Sequence, residues 1–184
     1  MTLNVKDRGD HVATFRWIAV RWMETLARWV PTTPETEAKL AFGTHLWDLA
    51  QHADWLGQRT RELRLPAQHS RAPTPEFVAF LDDLGASAAT DQRVAAFYDC
   101  GLPGLECRLR AYVADVDPLL DGPTVRIVER ILFDMERMKR EAAELRAELP
   151  AVASVDPAWL EAQRARDASL VTVVAPRLPE TVVA

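Results

Sequence analysis

Two histidines and one aspartate are spaced so that they share one face of a predicted helix. His45 and His52 are seven residues apart, and Asp48 lies three residues after the first and four before the second. Seven residues make nearly two helical turns, so the three side chains point to the same side, and Arg59 continues the row. A carboxylate beside an imidazole fixes the tautomer of the ring, and the ring exchanges protons near neutral pH. The spacing therefore indicates acid–base chemistry.

Both histidines fall near the apolar stripe of their helix, so we expect them to face the interior. In a purely structural interpretation, each ring is half-buried and hydrogen-bonded to a carboxylate or a carbonyl. In the functional interpretation, His52 or His45 is a general acid or base, Asp48 orients it, and Tyr112 donates a hydrogen bond from another helix. Burying such groups without partners costs about 1–3 kcal/mol each, which favours a pocket lined by them. Both interpretations stay open at this level.

Helical periodicity and capping signals predict the elements that hold these side chains. The first two predicted helices are long: one runs from Asp10 to about Val30, and the next from an N-cap at Thr33 to about Leu63. Shorter helices are predicted from Thr74 to Leu84, from Thr90 to Tyr98 and, after an interruption at Cys100–Gly104, from Leu105 to Val116. The last long helix is predicted to begin at the start signal Asp121-Gly122-Pro123 and to end at Leu149. Long helices joined by short loops predict an all-α fold, an antiparallel four-helix bundle over residues 1–150. Residues 151–184 are predicted to form a short helix, about Pro157–Ala168, and an extended arm that carries Pro176 and Pro179.

Composition narrows the possible functions. The chain has 184 residues, with 22 basic and 27 acidic side chains and a formal charge of −5. That balance argues against nucleic-acid binding, which needs a basic face. No apolar run approaches the ~20 residues of a membrane span, and Met1–Asp10 lacks the apolar core of a signal peptide. Cys100 and Cys107 do not form a CxxC pair, and we interpret them as small packing residues. These features predict a cytoplasmic protein.

The carboxylates of the other helices are predicted to face outward. Glu24 lies opposite the apolar stripe of the first helix, Glu129 and Glu136 point away from that of the last, and Asp134 is at its boundary. Glu106 and Arg108 flank the stripe that contains Tyr112. No inward pair of carboxylates emerges. Among the tryptophans, Trp22 and Trp29 belong to the core stripe, whereas Trp17 and Trp47 are predicted to face outward.

Two segments resemble the ferritin-like superfamily, in particular an uncharacterised bacterial family distantly akin to the tRNA-modifying di-iron hydroxylase. The resemblance is carried by Lys39-Leu40, His45-Leu46-Trp47 and Gln51-His52-Ala53-Asp54-Trp55-Leu56, and by Asp117-Pro118-Leu119-Leu120-Asp121 leading into Thr124–Met138. Together they cover about half of the chain. The resemblance implies a ferritin-like bundle with short extra helices, and it implies a di-metal centre in active members.

The residues needed for that centre are replaced in this sequence. The resemblance implies one Glu from each of two helices and a Glu-x-x-His pair from each of the other two. The matching positions read Leu49-x-x-His52 and Met135-x-x-Met138. Iron and manganese prefer hard carboxylate oxygens, which leucine and methionine do not supply. We therefore expect a degenerate site without metal or other cofactor.

Three hypotheses about function follow. In the first, the former metal cavity is a metal-free pocket for a small-molecule ligand or substrate, with walls formed by Leu49, Met135, Met138, Trp22 and Leu109. In the second, the chain is a structural or interaction subunit, for example a homodimer through the Trp17 and Trp47 surfaces or the C-terminal arm. In the third, it is a di-iron or single-metal oxidoreductase or hydroxylase with non-standard ligands. A dry, closed bundle centre would count against the first.

Overall fold

The computed structural model describes residues 3–177, and its regular structure is helical. The α-helices are α1 (Val5–Trp29), α2 (Thr36–Glu62), α3 (Pro75–Gly85), α4 (Thr90–Ala95), α5 (Leu102–Asp115), α6 (Pro118–Glu148) and α7 (Pro157–Ser169). Short 3-10 turns follow α1 at Val30–Thr32 and α6 at Pro150–Val152. Residues 3–177 contain no β-strand, only an isolated antiparallel bridge between Pro73 and Val174. The predicted all-α class is confirmed.

The first two helices begin at positions other than those predicted. α1 starts before Asp10 because Asn4 caps it: the Asn4 side chain accepts from the Asp7 amide, and the Asp7 side chain accepts from the Asn4 amide. α2 starts at Thr36, after the predicted cap at Thr33. The Thr33 hydroxyl instead donates to the Trp29 carbonyl at 2.8 Å, so it closes the end of the preceding helix.

The predicted interruption at Cys100–Gly104 is wrong. The chain stays helical through a π-helical segment, Ala96–Gly101, that joins α4 to α5. The Leu102 amide bonds to the Phe97 carbonyl, five residues back, which widens the turn. Pro103 follows this widened turn, and the Asp99 carbonyl, four residues before it, accepts from Arg164 in place of the N–H that proline lacks. Gly101 faces Trp22 so closely that a Cβ there would lie 2.3 Å from the indole ring.

The predicted start of the last long helix at Asp121 marks a kink instead. α6 begins at Pro118, and the Asp117 side chain caps it by accepting from the Leu119 amide at 2.8 Å. Asp121 has non-helical backbone angles, φ −133° and ψ 24°, inside the helix. The kink turns the Asp121 carboxylate into the interior, where it is fully buried. The predicted end before Pro150 is confirmed.

The long helices pack around one apolar core. α1 packs against α2, α2 against α6 and α6 against α5. Between α5 and α1, Tyr112 packs edge-on against Phe15 with ring centroids 5.6 Å apart. Trp22 and Trp29 belong to the core, as predicted, whereas Trp17 is half-buried against it rather than turned outward.

The C-terminal arm, residues 171–177 in the described part, lies on its own chain. The Thr74 amide donates to the Val173 carbonyl at 3.0 Å, and Arg71 donates to the Ala175 carbonyl at 3.0 Å. Val173 is buried by these contacts. Pro179 of the predicted arm lies outside the described residues.

Candidate functional site

The predicted row on α2 forms part of a polar seam between α2 and α6. The α2–α6 seam consists of His45, Asp48 and His52 on α2 and Asp134, Arg137 and Glu141 on α6. His45 Nε2 lies 2.7 Å from Glu141 Oε2, Asp48 Oδ2 lies 2.8 Å from Arg137 Nη2, and His52 Nε2 lies 3.0 Å from Asp134 Oδ2. The numbers rise on α2 as they fall on α6, so the two helices are antiparallel. Both histidines are buried, whereas the α6 side chains are partly exposed.

His45 is held at both ring nitrogens. Its Nε2 faces a carboxylate, which can only accept, and its Nδ1 lies 2.6 Å from the hydroxyl of Tyr98 on the π-helical segment. The neutral ring therefore carries its proton on Nε2 and accepts from Tyr98 at Nδ1. Burial lowers the pKa of His45 and of His52, since the charged ring loses its hydration; the facing carboxylates oppose this only in part. Both rings are neutral and hydrogen-bonded.

Asp48 is engaged differently from the sequence-based expectation. It was expected to orient a neighbouring histidine, but its ion pair is with Arg137 across the interface. The groups that orient the histidines are Glu141, Asp134 and Tyr98, none of which was among the predicted site residues. A signal for two of them is in the sequence: Asp134 and Glu141 are seven residues apart, the same spacing as His45 and His52.

The two remaining predicted site residues meet in a second group, the Asp121 cluster, which consists of Arg59, Tyr112, Asp121 and Thr124. Asp121 accepts from Tyr112, from Arg59 at 2.8 Å and from Thr124 at 2.6 Å, and Thr124 also accepts from Arg59 at 2.8 Å. All four side chains are buried. Burial, with the hydrogen bond to Asp121, raises the pKa of Tyr112, so its hydroxyl stays protonated. That hydroxyl is committed to Asp121 and is not offered to a ligand.

The predicted pocket in the bundle centre is packed apolar core. Leu49, Met135, Met138, Trp22 and Leu109 all belong to the main cluster of buried hydrophobic residues. Of the positions that the ferritin-like resemblance would assign to metal ligands in the two Glu-x-x-His pairs, only His52 keeps a ligand type; the others hold Leu49, Met135 and Met138 in a closed interior, which does not fit a di-metal centre. Among residues 3–177, no three His, Cys, Asp or Glu side chains are grouped so that they could hold a metal ion.

An open cleft lies elsewhere, between the first half of α1, the second half of α5 and the C-terminal arm. Its volume is about 600 Å³. Its polar lining comes from Asp7, Asp10, His11, Arg108, Tyr112, Asp115, Thr172 and Arg177, and its apolar lining includes Leu3, Phe15, Val171 and Val173. Neither this cleft nor a smaller one of about 270 Å³ beside Asp99 and Arg146 includes a residue of the α2–α6 seam.

The cleft has its own aromatic and ionic organisation. The His11 ring packs against that of Tyr112, with centroids 5.4 Å apart, and its Nδ1 lies 2.8 Å from the Asp7 carbonyl. Arg177 of the arm bridges Asp7 and Asp10 at 3.3 and 2.7 Å. Sequence reasoning gave His11 only a packing role, because the cleft depends on where the arm lies.

Comparisons with known proteins add no assignment to this geometry. The chain matches no protein-family model, no curated protein and no solved structure. None of the helices formed by residues 3–177 combines the length and the apolar character that a membrane span requires.

Proposed function

We propose that this chain is a small-molecule binding protein whose ligand enters the cleft between α1, α5 and the C-terminal arm. The observation that carries the proposal is the cleft itself, about 600 Å³ with apolar walls and a few polar side chains at its border. Ligand sites in proteins have this size and this combination of surfaces. The proposal keeps the small-molecule hypothesis and moves its site out of the bundle centre, where the residues pack too closely to admit a ligand.

The test is a fragment screen followed by ¹⁵N chemical-shift mapping on the full chain. We expect fragments that bind to shift the amides of His11, Ala111 and Asp115, which border the cleft, and to leave those of the α2–α6 seam unchanged. Shifts concentrated at His45 and His52 would restore the original site. Shifts scattered over the surface, with none at the cleft, would contradict the proposal.

Two matched variants make the mapping decisive. Ala111 and Ala114 are both exposed on α5, but only Ala111 lines the cleft. Ala111→Trp places a bulky ring in the cleft and should weaken the binding of the fragments by about tenfold or more, because they then compete with the indole. Ala114→Trp adds the same ring beside the cleft and should leave binding unchanged. Equal effects of the two variants would contradict the proposed site.

We further propose that α1, α2, α6 and α5 form a ferritin-like four-helix bundle that has lost its metal ligands. Two features support this. α2 runs antiparallel to α6 along the seam, and a long connection, residues 63–101, leads from α2 to α5, whereas α1 leads to α2 and α5 to α6 by short connections. Elemental analysis of protein purified without chelators measures the bound metal and so tests whether metal binding has been lost. Less than about one metal ion per several chains is expected, and one or two ions per chain would favour the oxidoreductase hypothesis.

A second candidate function is that of an interaction subunit. Leu40 and Trp47 on α2 are each 66 % exposed, and Phe133 on α6 is 70 % exposed. Large apolar side chains that are exposed on adjacent helices are typical of a surface that another chain covers. The described part of the arm does not cover Trp47. Light scattering at increasing concentration tests for a homodimer through this surface. Trp47→Ser should shift the dimer to monomer, and a strict monomer at all concentrations would contradict this candidate.

A further inference from the structure

We infer that the cleft takes a ligand with a primary ammonium group on an apolar body. This inference rests on the proposed function, because it names the ligand class of the same cleft. It follows from which hydrogen-bonding groups of the lining are already engaged within the chain and which are left for a ligand.

The first step concerns the tautomer of His11. Its Nδ1 lies 2.8 Å from the Asp7 carbonyl oxygen. A carbonyl oxygen can only accept, so Nδ1 carries the proton and donates it. In the neutral ring Nε2, at the opposite edge, is then an unprotonated acceptor. His11 is only partly buried and borders the cleft, so this acceptor can meet a donor on a ligand.

The second step concerns the two arginines of the lining, most of whose donors are used within the chain; the Nε of Arg108 has no partner but is itself buried, away from a ligand. Arg108 is paired with Asp167 at 2.9 Å and donates to the Gly104 and Leu170 carbonyls at 2.8 and 3.0 Å. Arg177 is paired with Asp10 and Asp7. An anionic ligand would have to break these contacts before it could bind either arginine.

The third step concerns charge. Asp7, Asp10 and Asp115 give the lining three carboxylates. Arg177 pairs with the first two and Arg71 also faces Asp10 at 3.6 Å, whereas Asp115 has no ion pair among the described residues and Arg108 is neutralised by Asp167. The lining therefore has a surplus of acceptors and of negative charge. A cation with several donors complements both, and an ammonium group has three.

The fourth step concerns the body of the ligand. Phe15, Val171 and Val173 form apolar walls beside these acceptors. A purely polar cation would leave those walls hydrated, whereas an arylalkyl or alkyl group would cover them. A charged group at one end and an apolar group at the other together define the class.

Three probes of one shape test the inference at pH 8: benzylamine as its ammonium ion, benzyl alcohol and phenylacetate. We expect the shifts of the cleft amides to saturate at the lowest concentration with the ammonium ion and at the highest with phenylacetate. Equal or tighter binding of the alcohol or the anion overturns the ammonium assignment but leaves the cleft as a binding site. No shift at the cleft with any of the three overturns both the assignment and the proposed function.

Variants then test the named acceptors. His11→Phe keeps an aromatic ring against Tyr112 but removes the acceptor, and should weaken benzylammonium by about tenfold while changing benzyl alcohol much less. His69→Phe is the matched control outside the cleft. Since His11→Phe could perturb folding, Asp115→Asn, at an exposed position, is the second variant, and it should reduce the preference for the ammonium ion over the alcohol. An unchanged preference in both variants contradicts the inference.

Discussion

The α2–α6 seam and the cleft both contain histidine, yet they differ in what their polar groups contact. In the seam, each buried ring faces a carboxylate of the same chain at 2.7 or 3.0 Å. In the cleft, His11 is partly exposed and one of its two ring nitrogens is bonded to the chain. The difference shows that a buried histidine and a neighbouring carboxylate can satisfy each other's hydrogen-bonding groups within the chain. A ligand site needs polar groups that the chain itself does not pair.

The seam also fixes how α2 and α6 align. A slip of about one helical turn would bring Asp48 towards Asp134 and His45 towards Arg137, so two favourable contacts would become unfavourable ones. Apolar stripes alone tolerate such slips better than polar pairs do. The seam therefore has a structural use that requires no ligand.

The largest expected effect is the difference in the free energy of unfolding between a substitution in the buried Asp121 cluster and one in the lining of the cleft. Asp121→Ala should lower the free energy of unfolding by about 3 kcal/mol, because Arg59 keeps only its partly exposed ion-pair partner Glu62 and the buried hydroxyls of Tyr112 and Thr124 lose their acceptor. Asp115→Asn, in the exposed lining of the cleft, should change it by less than about 0.5 kcal/mol. Urea denaturation measures both. Similar values for the two variants would break the comparison.

The next effect concerns the packing beneath the seam. Gly101→Ala should cost about 1–3 kcal/mol, since its Cβ would collide with Trp22 beside the segment that holds Tyr98. Gly43→Ala in the interior of α2 is the control: apart from its chain neighbours and its own helix backbone, nothing lies within 4 Å of its Cβ, so the same change should be neutral or slightly stabilising. Thermal unfolding followed by circular dichroism compares the two, and a neutral Gly101→Ala would show that this contact relaxes easily.

The pH dependence of the free energy of unfolding tests whether burial disfavours the charged form of the seam histidines, His45 and His52. Burial lowers their pKa in the folded state, so the unfolded chain binds more protons as the pH falls through the ordinary histidine range. The free energy of unfolding should therefore decrease from pH 7.5 to pH 5.5, and this slope should be smaller in a His45→Gln/His52→Gln variant. Denaturation at each pH provides the measurement. An equal slope in the variant would mean that other groups cause the dependence.

The smallest effect is expected at the cleft histidine. His11→Phe should change the free energy of unfolding by less than about 1 kcal/mol, because the side chain is only partly buried and its ring contact is retained. Its effect on ligand binding should be larger than its effect on stability. The reverse order would make His11 a packing residue and weaken the contrast with the seam.

Periodicity was sufficient for part of this structure. It predicted that His45 and His52 face inward, because the faces of one helix follow from 3.6 residues per turn. It did not predict that Asp134 and Glu141 face them, since contact between two helices depends on their relative rotation as well as on each pattern. Both acids lie at the edge of the apolar stripe on α6, where the pattern predicts neither burial nor exposure.

The other differences have equally local causes. Asp10 looked like a helix cap because an aspartate just before an apolar stripe is typical of one, but α1 begins six residues earlier, at the Asn4–Asp7 capping box. Gly101-Leu102-Pro103-Gly104 looked like a break because no particular residue composition marks a π-helical turn. The cleft could not be predicted, because it exists only where the arm lies beside α1 and α5. The ferritin-like topology stays a prediction.

The π-helical segment also limits how this chain can change in length. A π-helical turn holds about one residue more than an α-helical turn, so deleting one residue from Ala96–Gly101 would let the helix continue without widening. The later side chains of α5 would then keep their faces, so Tyr112 would still reach Asp121 and Ala111 and Asp115 would still border the cleft. A one-residue deletion in an ordinary turn of α5 would instead rotate the side chains that follow it by about 100°. We therefore expect a one-residue deletion to be better tolerated within Ala96–Gly101 than in α5 itself.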